Sequence, residues 1–205
     1  MSITYPLSHP TTPGFSSATV LGRSVVAISQ SPYTFSQQAQ AHPGQRMEMQ
    51  LSLPPMKRAE AEAWLTFLLK LNGRQGTFLL GDPAAATPRG TIAGTVLVNG
   101  AHAVRATALN LKGLTAGTTV LAGDYLQLGS GSSARLHKNL SDATADAGGL
   151  VTLDIWPALR SAYADGAAVV YTGTKGLFRL ASNEMPWDEG AASIYGIDLT
   201  ATEAL

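Results

Sequence analysis

Several groups of residues in this chain have side chains of the kind that do chemistry, and their spacing decides what each can do. Gly129-Ser130-Gly131-Ser132-Ser133-Ala134 fits the letters of a dinucleotide-binding loop and follows a short predicted strand. Such a loop works when a long helix follows it, because the helix N-terminus holds the pyrophosphate. The next segment, Arg135 to Leu140, is too short for that helix and runs into another turn, so a β-turn is the better account. Asp142, Thr144 and Asp146 set oxygen atoms at the first, third and fifth positions of a calcium-like loop. Ala147 then stands where an EF-hand needs glycine, and Leu153 where it needs a bidentate glutamate. A turn with side-chain to backbone bonds explains the stretch.

His9, His42, His102 and His137 are scattered, and no two have the spacing of a zinc helix. The chain has no cysteine, which excludes disulfides, thiolate metal sites and cysteine nucleophiles by count. No serine lies in a G-x-S-x-G elbow. Asp124, Asp154, Asp165, Asp188 and Glu189 could supply an acid pair for glycoside hydrolysis, but nothing in their spacing selects two of them. The sequence therefore offers no catalytic, cofactor-binding or metal-binding residue, and the expectation is a protein that is not an enzyme. A cell-wall hydrolase is the weakest alternative, because a positioned acid and base are not evident.

The aromatic residues divide into two kinds. Trp64 and Phe67, with Leu68 and Leu71, recur at i, i+3, i+4 and i+7 and read as the core face of a helix. Trp156 precedes Pro157 and Trp187 lies between Pro186 and Asp188, at strand ends or loops, where a large ring can plug an edge, stack on a sugar or anchor a partner. These two are the candidate partner or ligand contacts.

The elements that must position these residues are mostly strands. Arg46 to Leu53 alternates Met47, Met49, Leu51 and Leu53 with Arg46, Glu48, Gln50 and Ser52, which predicts one buried and one wet face. Pro54-Pro55 stops that strand and can occupy the first turn of a helix over 56–71, which Asn72-Gly73 ends. Upstream, 1–17 is a Pro-, Ser- and Thr-rich arm of the kind that frays unless a neighbour holds it. Val20 to Ile28 and Tyr33 to Gln40 form a hairpin about Ser31-Pro32. Downstream, Thr77 to Leu80 returns to strand before the Gly81-Asp82-Pro83 turn.

Short strands then follow at 91–98, 103–109, 125–128, 134–140, 151–156 and 168–172, with a turn near 158–164, and regular spacing of this kind argues a small barrel or sandwich. The tail strands at 177–180 and 193–200 cannot stand as a pair in water. They are expected to return to the first module. The fold class is thus mainly β, a sandwich or split barrel with one packed helix. Its domains are 1–90 with 176–205 as a discontinuous core and 91–175 as an inserted β module.

Composition bounds the partners. Fourteen Lys and Arg balance fourteen Asp and Glu, and only 14% of residues are charged while 45% are apolar. Phosphate neutralisation needs clustered cations, so nucleic-acid binding through a basic surface is not expected. So few charges make a poor free monomer, and part of the surface is expected to be covered by partners. The N-terminus lacks the basic and apolar regions of a signal peptide, and no run approaches eighteen apolar residues, so a soluble, intracellularly made chain without membrane insertion is expected.

One block adds a resemblance. Trp64, Phe67, Leu71, Gly73, Gly76, Phe78, Leu80, Asp82 and Pro83, with the preceding Met47 to Leu53 strand and the later Leu114 to Gly129 segment, resemble minor tail proteins of long-tailed, non-contractile bacteriophages. The likeness spans roughly residues 20–180. It implies a distal-tail or baseplate protein in the virion, assembled in the host cytoplasm, that forms a hexameric ring and joins the tail tube protein to the tip hub protein. It supplies no catalytic residues. Distal tail proteins often carry a sugar-binding-like β-domain; residues 91–175 are short for one and fit a small oligosaccharide- or oligonucleotide-binding barrel equally. A tail-associated adhesin that grips a host glycan through Trp156 or Trp187 is the alternative.

Overall fold

The computed structural model describes residues 3–190 and 194–205. It is mainly β with one α-helix, and its strands gather into two six-stranded sheets and two smaller ones.

The first sheet draws on both ends of the chain. Its strands lie in the order Leu7–Ser8, Phe78–Leu80, Gly176–Leu180, Asp198–Glu203, Gln37–Ser52 and Ser17–Gln30. All pairings are antiparallel except the first. The helix, Arg58–Leu71, lays Ala61, Trp64, Leu65, Phe67, Leu68 and Leu71 against Met47, Met49, Phe78 and Phe178. Trp64 and Leu71 are 1% and 0% exposed, as their helical spacing predicts. Phe67 meets both Trp64 and Phe78 edge to face, an arrangement that the ring quadrupoles favour. Asn72 (φ 50°) adopts the left-handed conformation that ends the helix, and its backbone N–H donates to the Leu69 carbonyl at 3.1 Å.

The helix begins two residues later than the sequence predicts. Met56–Lys57 forms a short strand against Ile194–Gly196, and the Glu60 carboxylate accepts the Lys57 N–H at 3.4 Å, so the Pro pair ends a strand and does not enter the first helical turn. The N-terminal arm is held: Leu7–Ser8 pairs with Phe78 and Leu79, the Tyr5 hydroxyl donates to the Lys70 carbonyl, and Phe15 packs on Trp64. The arm's first two residues lie outside the described residues.

The second sheet uses residues 94–170 alone, in the order Val169–Val170, Tyr125–Leu128, Arg135–Asn139, Val151–Trp156, Ala108–Leu114 and Gly94–Val98. A bridge between Leu97 and Ala168, with the Val98 N–H donating to the Ala167 carbonyl at 2.8 Å, brings its two edges together and nearly closes a barrel. Leu109, Leu111, Leu126, Leu128 and Leu153 fill it. The strand expected at 103–109 lies at Ala108–Leu114 instead. Arg105 sits in the left-handed region (φ 69°), which interrupts extended chain. The turn expected near 158–164 is an irregular stretch bonded to residues 102–106 by backbone pairs, including Leu159 N–H to the Ala106 carbonyl. Of the tail strand expected at 193–200, Ser193 lies outside the described residues, and the rest divides into Ile194–Gly196 and Asp198–Glu203.

Candidate interaction surface

Two of the predicted strands, 33–40 and 46–53, are one. The Gln37–Ser52 strand pairs with Ser17–Gln30 along its length, with a register shift between Ser24 and Val26. Only the inner part of this hairpin lies on the sheet. The Asp198–Glu203 strand covers Glu48 to Ser52 and reaches no further, so beyond Gln45 the two strands stand out from the molecule as a ribbon. Every residue from Arg23 to Gln30, and from Tyr33 to Gly44, is exposed. The tip is the turn Ser31 to Ser36, where Phe35 takes φ 56° and Tyr33 is 92% exposed; the sequence placed a strand start there.

The faces of the ribbon follow from its register, because directly paired residues point to the same side. Val26 pairs with Ala41 and Ile28 with Ala39, which makes one side apolar. Ala27 pairs with Gln40 and Ser29 with Gln38, which makes the other polar. No Lys, Arg, Asp or Glu occurs from Ser24 to Gln45.

The root is fastened by ions. Arg23 and Arg46 are direct cross-strand partners, and two like charges so placed would repel. Glu48 bridges both, at 2.5 and 2.6 Å. Although burial pushes its carboxyl upward, the Arg23 hydrogen bond and the Arg46 charge outweigh that and hold it below the usual carboxylate range. The sequence put Glu48 on the wet face; it is 5% exposed because these guanidinium groups cover it. Beside it, Arg160 pairs with buried Glu203 at 2.6 Å and donates to the Gln45 carbonyl, while Glu203 accepts the Met47 N–H and Gln45 Oε1 accepts the Ala158 N–H. These bonds tie the segment that follows the Val151–Trp156 strand to the first sheet at the base of the ribbon.

The same seam holds Trp156, whose ring lies over Gly22. A Cβ at that glycine would stand 2.8 Å from the indole, so a larger residue there would force the ring to move. Trp156 is half-buried against the first core, whereas Trp187 is 45% exposed just before the short strand Asp188–Glu189. His137 is fully buried nearby, with Nδ1 2.7 Å from the Pro157 carbonyl and Nε2 without a partner among the described residues; burial lowers its pKa to about 4. Nδ1 therefore carries the proton of a neutral ring. Tyr125 reaches into the first core, and burial and then Asp82 push its hydroxyl pKa up.

Asp188 and Glu189 are exposed on their short strand, and the other acidic candidates are occupied in local bonds. Asp124 is buried and accepts the backbone N–H groups of Arg89, Gly90 and Leu121. Asp146 accepts from Gly148 and Leu150, and Asp142 from Ala122, which is the turn chemistry expected of that stretch. Asp154 accepts the Ser141 hydroxyl. The Lys112 ammonium, followed by the Gly100 N–H, holds the exposed Asp165 carboxyl below its usual pKa. Gly131–Ser133 is a single 3-10 turn before a strand. Among the described residues no three His, Asp or Glu side chains gather as a metal site, and no helix is long and apolar enough to cross a membrane.

The hairpin itself is where the sequence predicts it, with its turn at Ser31-Pro32; what the sequence did not show is that its outer half projects beyond the sheet. A sign of it lies in the run from Ser24 to Gln45, which carries no Lys, Arg, Asp or Glu. No protein-family model matches the chain, and no curated protein matches it.

Proposed function

We propose that this chain is a virion structural protein that forms a hexameric ring at the distal end of a phage tail and joins the tail tube to the tip hub. The observation that carries the reading is the ribbon. A two-stranded hairpin is marginal alone in water, and this one exposes Val25, Val26, Ile28, Tyr33 and Phe35 at 51% or more. A neighbour that covers it removes both problems. A head-to-tail contact closes into a ring when the rotation per copy is right, and the helix-braced core with its ionic root gives the ribbon a rigid base from which to set that angle. A stable contact needs about 1,000 Å² in total, and the low charge of the chain agrees with that much burial.

Native mass spectrometry of the purified chain, with electron microscopy of particles, tests the reading. A six-fold ring or incorporation at the tail tip is expected. A chain that stays monomeric at all concentrations and is absent from purified particles overturns it. The exposed indole of Trp187 favours host-glycan binding as a second reading; loss of saturable glycan binding in Trp187→Ala is its test, and no binding by the wild type removes it.

A further inference from the structure

We propose that the ribbon pairs edge to edge with the ribbon of the next copy, so that the outer edge of Ser24–Gln30 in one chain meets the outer edge of Gln37–Ala41 in its neighbour. The inference rests on the ring reading above and names the surface that closes it.

Both edges are open. Ser17–Gln30 ends the first sheet, and Gln37–Ala41 has only Ser17–Gln30 beside it among the described residues. About half of the backbone N–H and C=O groups on each strand point away from the hairpin partner, so two rows of donors and acceptors about 20 Å long are left for water. Monomeric proteins guard such edges with charge, proline, bulges or short length. Here no charge occurs from Ser24 to Gln45, Pro32 lies in the turn, Pro43 lies at the root, and the register shift lies at Ser24/Val26, so the stretch between them is unguarded.

The occupant that fits is a second copy. The two strands run in opposite directions, so the neighbour's first strand laid beside this chain's second continues the up-and-down alternation. The contact is head-to-tail, as a ring requires. The faces also continue: Val26, Ile28, Ala39 and Ala41 of successive copies line one side, and Ser29, Gln38 and Gln40 the other. Identical ribbons without charge do not repel, and a nucleic acid would find no cation on either face.

The chain has no cysteine, so an introduced one is a clean reporter. Ser29→Cys is mixed with Gln38→Cys or Gln40→Cys, and the mixtures are oxidised mildly. At least tenfold more disulfide-linked dimer is expected in one of the mixtures than in any variant alone. Equal yield from a single variant points to a two-fold contact and overturns the proposal. Rings that form without crosslinks in either mixture overturn it while the ring reading stands; no assembly at all removes both. In a second arm, Ala27→Lys with Ile28→Lys is expected to weaken assembly at least a hundredfold while the melting of the monomer is unchanged. Dye release from phosphatidylcholine vesicles by a chain that forms no rings would overturn the proposal in favour of lipid insertion.

Discussion

The two halves of the Gln37–Ser52 strand share a backbone geometry and a hairpin partner, yet they end in opposite environments. In the inner half Met47, Met49 and Leu51 are at most 2% exposed, under a helix and beside the Asp198–Glu203 strand. In the outer half every residue from Gln37 to Gly44 is exposed. Hydrogen bonding to the same partner strand does not make the two halves equally stable, because sheet stability comes from what covers the faces. The inner half belongs to the folded core. The outer half has neither face covered among the described residues.

Core substitutions should expose the contrast most strongly. Trp64→Ala removes the ring at the centre of the aromatic stack and should cost about 4 kcal/mol in denaturant unfolding, whereas Tyr33→Ala at the ribbon tip should leave monomer stability unchanged. If the two cost the same, the ribbon is part of the core.

Next in size is a pH effect at the seam. The folded pKa of His137, about 4, lies below its ordinary 6.5. Between those values the unfolded chain binds more protons, so its contribution is complete above pH 6.5 and is lost as pH falls toward 4, by about 3 kcal/mol. Glu48, with its pKa lowered from 4.5, adds a loss of the same sign that sets in below about pH 4.5. In His137→Gln the decline between pH 6.5 and 4 should flatten; a parallel decline in both proteins would show that the histidine does not drive it.

Arg160→Ala leaves Glu203 buried with the Met47 N–H as its remaining partner and should cost about 2 kcal/mol. Glu203→Gln in the same background should recover part of that loss, and a double-mutant cycle measures the coupling. At the small end, Ile28→Lys should change monomer stability by less than about 0.5 kcal/mol, as surface substitutions do. A larger loss would mean that the ribbon's apolar face is already covered within one chain.

Local pattern carried much of the fold. Trp64, Phe67, Leu68 and Leu71 are buried because a 3.6-residue period places them on one face whatever lies opposite, and the strand at Val151–Trp156 alternates buried and exposed residues as period two predicts. Glycine and proline marked most of the ends. The shifted Ala108–Leu114 strand was less legible, since an arginine in left-handed backbone carries no local sign of it.

The sequence by itself determined the mainly β character, the single amphipathic helix and the absence of cysteine chemistry, because periodicity and composition are properties of neighbouring residues. Only the tertiary structure decided that Glu48 and His137 are buried, that Gly22 seats Trp156, and that half of one hairpin has no cover among the described residues. Each of these depends on a group brought from far along the chain, such as Arg160 and Glu203 at the ribbon root, or on a covering strand that stops short, and no local pattern records either.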